Sequence, residues 1–413
     1  MADSEVRIGK ANQGLMKKIW LGWGVILLII GIILVVSGKE KTIDLLNPLS
    51  GVKKEAVKED RPIVVGFLPT WNVGKTQIYG AEIDQMVFLG VEVSGNGGLV
   101  WDIQSKKLNS DGYLLLKNNI SRTGGKNILG IKLFNDKGIE ALIASDEAKT
   151  KLYTEVSNLV TAGNFDGVNI DFEYMSNPIR VLDDDFLNLL AGARAAGWKE
   201  ISLDVFANTI IKGNKEGLEK LLSNIDQAIV MAYDFRRPGS PMAGAVAPMG
   251  AEVGERSISE ITQKVIDYGL DKKKIIMAYP LYGYEWETDT NLLNSATRAA
   301  GYGATVFYRD AASDPLWGIS VEPKWDELAQ SPWVAWQEKA QRSKIVSKKV
   351  GKYYRKVTEY YTVDQWHQAY FENEKSLGIK MEATKQAQLG GVGFWALGYE
   401  GNTELIKSLK YKL

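Results

Sequence analysis

The 413-residue chain contains no cysteine, which excludes disulfides, thiolate nucleophiles and cysteine-ligated metal sites. It contains one histidine, His367, so paired-histidine metal sites are excluded and a Ser-His-Asp triad would have a single possible base. His367 lies in DQWHQAYFE, which we predict to be helical, and no serine motif is nearby, so we interpret it as structural. Hydrolytic chemistry in this chain would therefore depend on carboxylates.

Net charge is also absent. Fifty Lys and Arg residues balance fifty Asp and Glu residues, which removes the broad positive field typical of nucleic-acid-binding proteins. We therefore predict no nucleic-acid partner. Hydrophobic residues at 45% and charged residues at 24% are ordinary values for a globular protein with a large core.

One long apolar run interrupts this balanced composition. Residues 19–37, IWLGWGVILLIIGIILVVS, are uncharged, and at ~1.5 Å per helical residue they approach the hydrocarbon thickness of a bilayer. We predict a single-pass membrane anchor here, after a short tail (1–18) and before a charged linker (38–61). A cleaved signal peptide is the alternative, although its apolar core is usually ~7–15 residues. Lysines flank the run on both sides and leave its orientation open, and we expect the remaining domain to lie outside the cytoplasm.

From residue 62 to 413, short β-rich apolar runs alternate with amphipathic helical segments such as 183–198, 214–226 and 258–269. Near-continuous apolar strands that alternate with helices are typical of a parallel sheet covered by helices. Eight such runs predict a closed (β/α)8 TIM barrel. The runs are IVVGFLP (63–69), IDQMVFLGVEV (83–93), NILGIKLF (127–134), FDGVNIDFE (165–173), ISLDVFAN (201–208), QAIVMAYDF (227–235), KIIMAYPLYG (274–283) and GGVGFWALG (390–398).

The seventh and eighth runs are separated by more than one barrel helix requires. We predict a small strand-rich insertion at approximately 287–365, with 333–340 and 353–363 as strands. Its basic run, 339–356, contains eight Lys or Arg residues and no acid. Such a run could bind an anionic polymer, but we favour the interpretation as a solvated hairpin end.

The fourth run carries polar residues inside an apolar strand. Side chains of a strand alternate between its faces, so Asn169, Asp171 and Glu173 share one face while Val168, Ile170 and Phe172 share the other. The apolar set suits the helix layer outside a barrel, which places the polar set inside. Glu173 comes last, at the carboxyl end of the strand, where TIM-barrel active sites lie.

These residues carry a family resemblance. DGVNIDFEY resembles the DxxDxDxE signature of glycoside hydrolase family 18, the chitinase-like enzymes. MAYD (231–234), YPLYGYEW (279–286) and GGVGFWALGYE (390–400) resemble later segments of the same family in the right order. The resemblance covers roughly 62–410, and WDELAQSP (325–332) is most similar to the bacterial spore-cortex and cell-wall lytic branch.

The resemblance implies a role for each matching residue. Glu173 would be the general acid, Asp171 would orient the 2-acetamido group of the substrate, and Tyr233 would donate to the acetamido oxygen. The substrate would then supply its own nucleophile, with retention of configuration. The implied substrate-binding residues are Asp234, Met231, Trp395, Asn169, Trp71, Tyr282 and Trp286.

Asn169 departs from the family pattern, which has aspartate at this position. An asparagine carries N–H donors and no charge, so we expect its amide to donate to Asp171 in place of a protonated acid. Trp286 is equally compatible with a place in the core.

The sequence therefore predicts a membrane-anchored glycosidase that acts on β-linked N-acetylglucosamine-containing glycans without metal or cofactor. A non-catalytic glycan-binding protein on the same barrel is the alternative. A divalent-metal site at Asp171, Glu173 and Asp234 is disfavoured because no supporting ligand spacing accompanies it. Chitin, peptidoglycan and N-linked glycan all remain open as substrates.

Overall fold

The computed structural model describes residues 61–77, 79–298, 303–312, 321–402 and 404–413. The predicted tail (1–18), anchor (19–37) and almost all of the linker (38–61) lie outside this part of the chain. Within the described residues, no helix has the length and apolar character needed to cross a bilayer.

Fourteen strands occur in the described residues. In chain order they are β1 (Ile63–Pro69), β2 (Gln85–Val93), β3 (Leu99–Val100), β4 (Lys126–Leu133), β5 (Gly167–Phe172), β6 (Ile201–Phe206), β7 (Gln227–Met231), β8 (Ile275–Pro280), β9 (Tyr282–Thr288), β10 (Gly303–Phe307), β11 (Lys324–Asp326), β12 (Ser331–Val350), β13 (Tyr353–Tyr370) and β14 (Gly391–Trp395).

Eight of these strands close into a parallel barrel. The order is β1, β2, β4, β5, β6, β7, β8 and β14, and β14 pairs with β1 to complete the cylinder, while β3 adds antiparallel to β2 outside it. Each barrel strand overlaps one of the eight predicted runs. The predicted (β/α)8 barrel is confirmed.

Helices follow the barrel strands in the chain. They are Asp111–Arg122, Asp136–Ile143, Asp146–Gly163, Asp184–Ala195, Ala207–Lys212, Lys215–Asn224, Ile258–Asp267, Tyr308–Ala311, Glu374–Gln386 and Glu404–Lys410. Several begin at a polar side chain that accepts a backbone N–H of the first turn, as Ser145 does from Ala148 and Ser257 does from Glu260. Asp183 occupies the N-cap position before Asp184–Ala195 without a capping hydrogen bond from its side chain, and Asp184 and Asp185 place negative charge in the first turn.

The packing of the barrel separates two apolar layers. Val168, Ile170 and Phe172 pack outward with the helices, as their alternation in the strand predicts. A smaller cluster fills the inside of the cylinder and consists of Val65, Phe67, Val87, Ile128, Ile229, Ile276 and Ala278. Asn169 and Asp171 of β5 and Asp204 of β6 are buried polar residues outside both clusters. These buried polar residues lie on two neighbouring strands of the barrel.

The chain between β8 and β14 forms the predicted strand-rich insertion. Its antiparallel sheet has the order β10, β9, β13, β12, β11 and extends from Tyr282 to Tyr370, beyond the predicted 287–365 on both sides. Near its start the sheet has a close backbone approach at Gly283, where a Cβ atom would lie 1.9 Å from the carbonyl oxygen of Tyr370. The prediction of a helix around His367 is wrong, because this residue pairs with Trp336 in the β12–β13 ladder.

The β12–β13 hairpin extends well past the sheet. Its pairing continues from Trp333–Tyr370 to Val350–Tyr353, and the turn contains Gly351 with a φ of 65°. The basic run 339–356 lies in this exposed outer half, where cross-strand pairs such as Lys348–Glu359 (2.7 Å) neutralise part of its charge. The run therefore occupies the hairpin end that the sequence predicts.

Candidate active site

A cleft of about 1490 Å³ lies at the carboxyl ends of the barrel strands. It exceeds the ~300–1,000 Å³ that is usual for a small-molecule pocket. Eight of the ten predicted site residues line it: Trp71, Asp171, Glu173, Met231, Tyr233, Asp234, Tyr282 and Trp395.

Strand β5 sets the depth of the carboxyl groups that the sequence predicts to be catalytic. Asn169 is completely buried, Asp171 is 4% exposed, and Glu173 is partly exposed just beyond the strand. The backbone N–H of Glu173 donates to the carbonyl of Leu133 (3.1 Å), so the β4–β5 pairing continues to this residue. The three side chains therefore form the predicted series from the barrel interior to the cleft.

Glu173 is a carboxyl group suited to proton transfer at neutral pH. Its pKa is raised to about 7, chiefly by burial; a hydrogen bond with Asp171 acts to lower the pKa, and the negative charge of Asp234 acts to raise it. A group with this pKa is present in both its protonated and its ionised form near pH 7. It can therefore donate a proton in one step and accept one in the next.

Asp171 lies among other charged groups. Burial raises its pKa well above the ordinary range, and the negative charges of Asp204 and Glu173 raise it as well. Lys132, its direct neighbour in the β4–β5 register, acts in the opposite direction. Three carboxyl groups in this low-dielectric pocket cannot all ionise freely, so protons are shared among them.

The structure corrects two expectations for Asn169. Its Nδ2 donates to Oγ of Ser202 (3.1 Å) and to Oδ1 of Asp204 (2.8 Å), both on β6, and neither bond goes to Asp171. It is also absent from the cleft wall and fully buried, so it cannot contact a sugar directly. Asn169 supports the site from below rather than binding substrate.

Asp234 follows β7 and takes a left-handed backbone conformation, with a φ of 58°. Its Oδ1 accepts hydrogen bonds from the hydroxyls of Tyr282 (2.5 Å) and Tyr284 (3.0 Å) on β9. Desolvation in the cleft raises the pKa of Asp234, whereas the two tyrosines and the charge of Arg237 lower it. The insertion sheet thus fixes the carboxylate of a barrel residue.

Aromatic side chains form the walls of the cleft. Trp395, at the end of β14, packs against Phe67, and its ring centroid lies 6.2 Å from that of Trp71. Trp71 is 42% exposed and donates through Nε1 to the hydroxyl of Tyr399 (3.0 Å). Burial raises the pKa of Tyr233 well above its ordinary range, so its hydroxyl remains a hydrogen-bond donor at neutral pH.

Trp286 is not a substrate-binding residue. It is fully buried in the insertion, where it packs with Trp333 and Tyr370 and donates through Nε1 to the carbonyl of Arg237 (3.3 Å). A ring without exposed surface cannot stack on a sugar. Of the two interpretations that the sequence allows for Trp286, the core position is the correct one.

The sequence motifs do not identify four residues of the site. Asp204 and Ser202 alternate with outward-facing Leu203 and Val205 in ISLDVF, and Lys132 alternates similarly in NILGIKL. This period-two pattern, which identifies β5, would have indicated polar inner faces on β4 and β6 too. Tyr284 offers no comparable signal, because its contact with Asp234 depends on how the insertion folds against the barrel.

His367 lies in the insertion sheet, apart from the cleft wall. Its Nδ1 is 2.9 Å from Glu285, and its ring stacks on Trp336 with centroids 5.3 Å apart. The hydrogen bond with Glu285 raises its pKa. In the described part of the chain, no group of three or more His, Asp or Glu side chains is placed to hold a metal ion.

A TIM barrel that carries a titratable glutamate above a buried aspartate, inside an aromatic cleft, has the features of a glycoside hydrolase. The sequence profile of Glycosyl hydrolases family 18 matches residues 120–400. The chain belongs to this family, which confirms the resemblance seen in its sequence.

Individual relatives agree with this assignment. The chain is 26% identical over 279 residues to an endochitinase of Brugia malayi, covering 63% of this chain and 50% of the relative. It is 22% identical over 273 residues to the cortical fragment-lytic enzyme of Bacillus subtilis (strain 168), covering 64% and 54%. The matched region thus spans about half the length of these relatives.

The fold is similar to that of a family GH18 chitinase from Cycas revoluta, solved in complex with (GlcNAc)4. The TM-score is 0.68 at 16% sequence identity, and the alignment covers 85% of this chain and 99% of the other. At this identity the similarity concerns the fold.

Proposed function

We propose that this protein is a membrane-anchored glycosidase that cleaves β-linked N-acetylglucosamine-containing glycans with retention of configuration. The observation that carries the proposal is Glu173: its pKa is raised to about 7, and it stands at the carboxyl end of β5 above the buried Asp171. The position is the one where TIM-barrel active sites occur, and the pKa is that of an acid–base catalyst at neutral pH.

In the first step, protonated Glu173 donates its proton to the glycosidic oxygen as the bond to the anomeric carbon breaks. Asp171 accepts the N–H of the 2-acetamido group, which turns the acetamido oxygen toward the anomeric carbon. The acetamido oxygen attacks the anomeric carbon and forms a cyclic oxazolinium-type intermediate. The hydroxyl of Tyr233 donates a hydrogen bond to this acetamido oxygen. Negative charge on Asp171 stabilises the positive charge that develops in the transition state.

In the second step, ionised Glu173 accepts a proton from water, and the hydroxide attacks the anomeric carbon from the face that the leaving group vacated. The ring of the intermediate opens and restores the acetamido group. Two inversions at one carbon give net retention without a protein nucleophile. Glu173 ends the cycle protonated, as it began.

The walls of the cleft suit a sugar polymer. Trp395 and Trp71 offer ring faces to the apolar faces of sugars, and Asp234 is held as a hydrogen-bond acceptor for hydroxyl groups. Relatives that are an endochitinase and a cortical fragment-lytic enzyme make chitin-like and peptidoglycan strands the two substrates to compare.

The test compares Glu173→Gln with the full-length chain on N-acetylglucosamine oligomers and on glycan strands from peptidoglycan, with products identified by mass. Loss of the proton donor should lower turnover by about 10²- to 10⁴-fold, while calorimetric binding of the oligomer remains. Glu219→Gln, at an exposed side chain of the helix Lys215–Asn224, is the matched control and should leave turnover unchanged.

A non-catalytic glycan-binding protein is the second candidate, and Asn169, in place of the family's aspartate, is the observation in its favour. Binding of oligomers by the unmodified chain, without hydrolysis of either glycan, would establish that candidate. The anchor is tested separately: the full chain should sediment with membranes, and a chain that lacks residues 1–37 should not.

A further inference from the structure

Asp204 on β6 is a buried carboxyl group that the reaction above does not use. It is 5% exposed, and it lines the floor of the cleft beside the catalytic carboxyl groups. Its Oδ1 accepts a hydrogen bond from Nδ2 of Asn169 (2.8 Å), and the other hydrogen of this amide goes to Oγ of Ser202 (3.1 Å). Both donors of Asn169 are therefore directed at β6.

Asp204 faces titratable groups from two directions. Asp171 lies on the neighbouring strand β5 and Glu173 directly after it, and Tyr233 follows β7 on the other side. The charge of Asp204 raises the pKa of Asp171, and the charge of Glu173 raises that of Asp204, whereas Lys132 counteracts only at Asp171. A change in the charge of Asp204 therefore alters the protonation of Asp171 and Glu173, the two residues that perform the chemistry.

We propose that Asp204 is a positioning residue for the hydrolysis, held by the amide of Asn169, and that its carboxyl group sets the protonation state of Asp171. The proposal rests on the proposed function for its catalytic consequence. Asn169 and Asp204 then act as one amide–carboxyl pair across β5 and β6, in which the amide donates and the carboxylate accepts.

The pair requires one amide and one carboxyl group, and either group can be on β5 with the other on β6. Two carboxyl groups at these positions would have to share a proton, and two amides would remove the negative charge beside Asp171. Because Asn and Asp have nearly the same shape, exchanging them changes the charge distribution with little effect on packing.

The experiment measures kcat/KM against pH for Asn169→Asp, Asp204→Asn and the double exchange. We expect each single variant to lose about 10-fold or more at pH 7, and the double exchange to recover to within about 3-fold of the unmodified protein. In Asp204→Asn the alkaline limb should move to lower pH, because a negative charge that holds protons on its neighbours is gone.

If the loss of kcat/KM in the double exchange equals the product of the two single losses, the proposal is overturned. An unchanged pH profile of kcat/KM in Asp204→Asn would also overturn it. The control is Asp226→Asn, at the opposite end of the barrel, where the carboxylate accepts the backbone N–H of Ile201 (2.7 Å). This variant should keep the profile of the unmodified protein.

A second measurement does not depend on activity. Burial raises the pKa of Asp204, so the folded chain binds more protons than the unfolded chain between the ordinary aspartate pKa and the folded value. Its stability must therefore fall as the pH rises through this window, and Asp204→Asn should make that fall shallower. Thermal unfolding at a series of pH values shows this.

Glycan hydrolysis and the pH dependence of stability test the proposed function and the Asn169–Asp204 pair separately. A chain that hydrolyses no glycan but shows the shallower pH dependence in Asp204→Asn would refute the proposed function and support the coupled pair. A chain that hydrolyses glycans but shows the same pH dependence in both proteins would refute the pair and leave the function standing.

Discussion

The hydroxyls of Tyr282 and Tyr284 converge on one oxygen of Asp234, and their removal tests how the insertion contributes to catalysis. Oδ1 accepts both bonds, at 2.5 and 3.0 Å. A hydrogen bond to a charged group contributes about 1.5–3 kcal/mol, which corresponds to about 10- to 150-fold in kcat/KM. Because one donor remains after a single substitution, we expect Tyr282→Phe or Tyr284→Phe to cost about 10-fold and the double variant about 100-fold.

The direction of the pH effect also follows from these contacts. Each tyrosine lowers the pKa of Asp234, so its loss leaves Asp234 less ionised at a given pH. The negative charge of Asp234 raises the pKa of Glu173. Removal of the tyrosine hydroxyls should therefore lower the pKa of Glu173 and move the alkaline limb of kcat/KM to lower pH.

The assay is hydrolysis of an N-acetylglucosamine oligomer by the single and double variants, with and without Asp234→Asn. In the Asp234→Asn background the acceptor is neutral, so each tyrosine substitution should cost only a few-fold. Tyr279→Phe is the matched control, since its hydroxyl contacts Thr384 (2.7 Å) and lies outside the cleft wall. Equal losses in both backgrounds would refute the role of Asp234 as the shared acceptor.

Three further predictions concern proton transfer, the aromatic wall and the core. The kcat/KM of the unmodified protein should fall as pH rises through about 7, because Glu173 loses the proton it must donate; a constant rate up to pH 9 would contradict this. Trp395→Ala should weaken oligomer binding by up to about 10-fold in calorimetry, whereas Trp286→Ala should instead lower the free energy of unfolding by about 3–5 kcal/mol in urea. Lys380→Met should cost about 3–5 kcal/mol by leaving buried Glu372 unpaired (2.8 Å in the native pair), and adding Glu372→Gln should restore part of the loss.

Strand periodicity carried most of what the sequence could predict. The alternation of Asn169, Asp171 and Glu173 with three apolar residues was enough to orient β5 in the barrel, since only one face can pack against helices. The same rule applied to β6 would have identified Asp204. Local pattern thus determines which residues face inward on a strand.

The errors arose where the answer depends on contacts between distant segments. Trp286 and Tyr282 lie four residues apart on the same face of β9, yet Trp286 packs beside Trp333 and Tyr370 of the same sheet whereas Tyr282 lines the cleft. Similarly, the partners of the Asn169 amide depend on the β5–β6 register, which places Ser202 beside it. The hydrophobic periodicity of a single segment does not indicate which distant residues its side chains contact.

In the proposed reaction, Glu173 protonates the leaving group while the substrate supplies the nucleophile. Proton NMR of the products in the first minutes of hydrolysis of a β-linked N-acetylglucosamine oligomer tests it most directly. The new reducing end should appear as the β-anomer and only later equilibrate with the α-anomer. Initial release of the α-anomer would contradict it, because inversion requires direct attack by water.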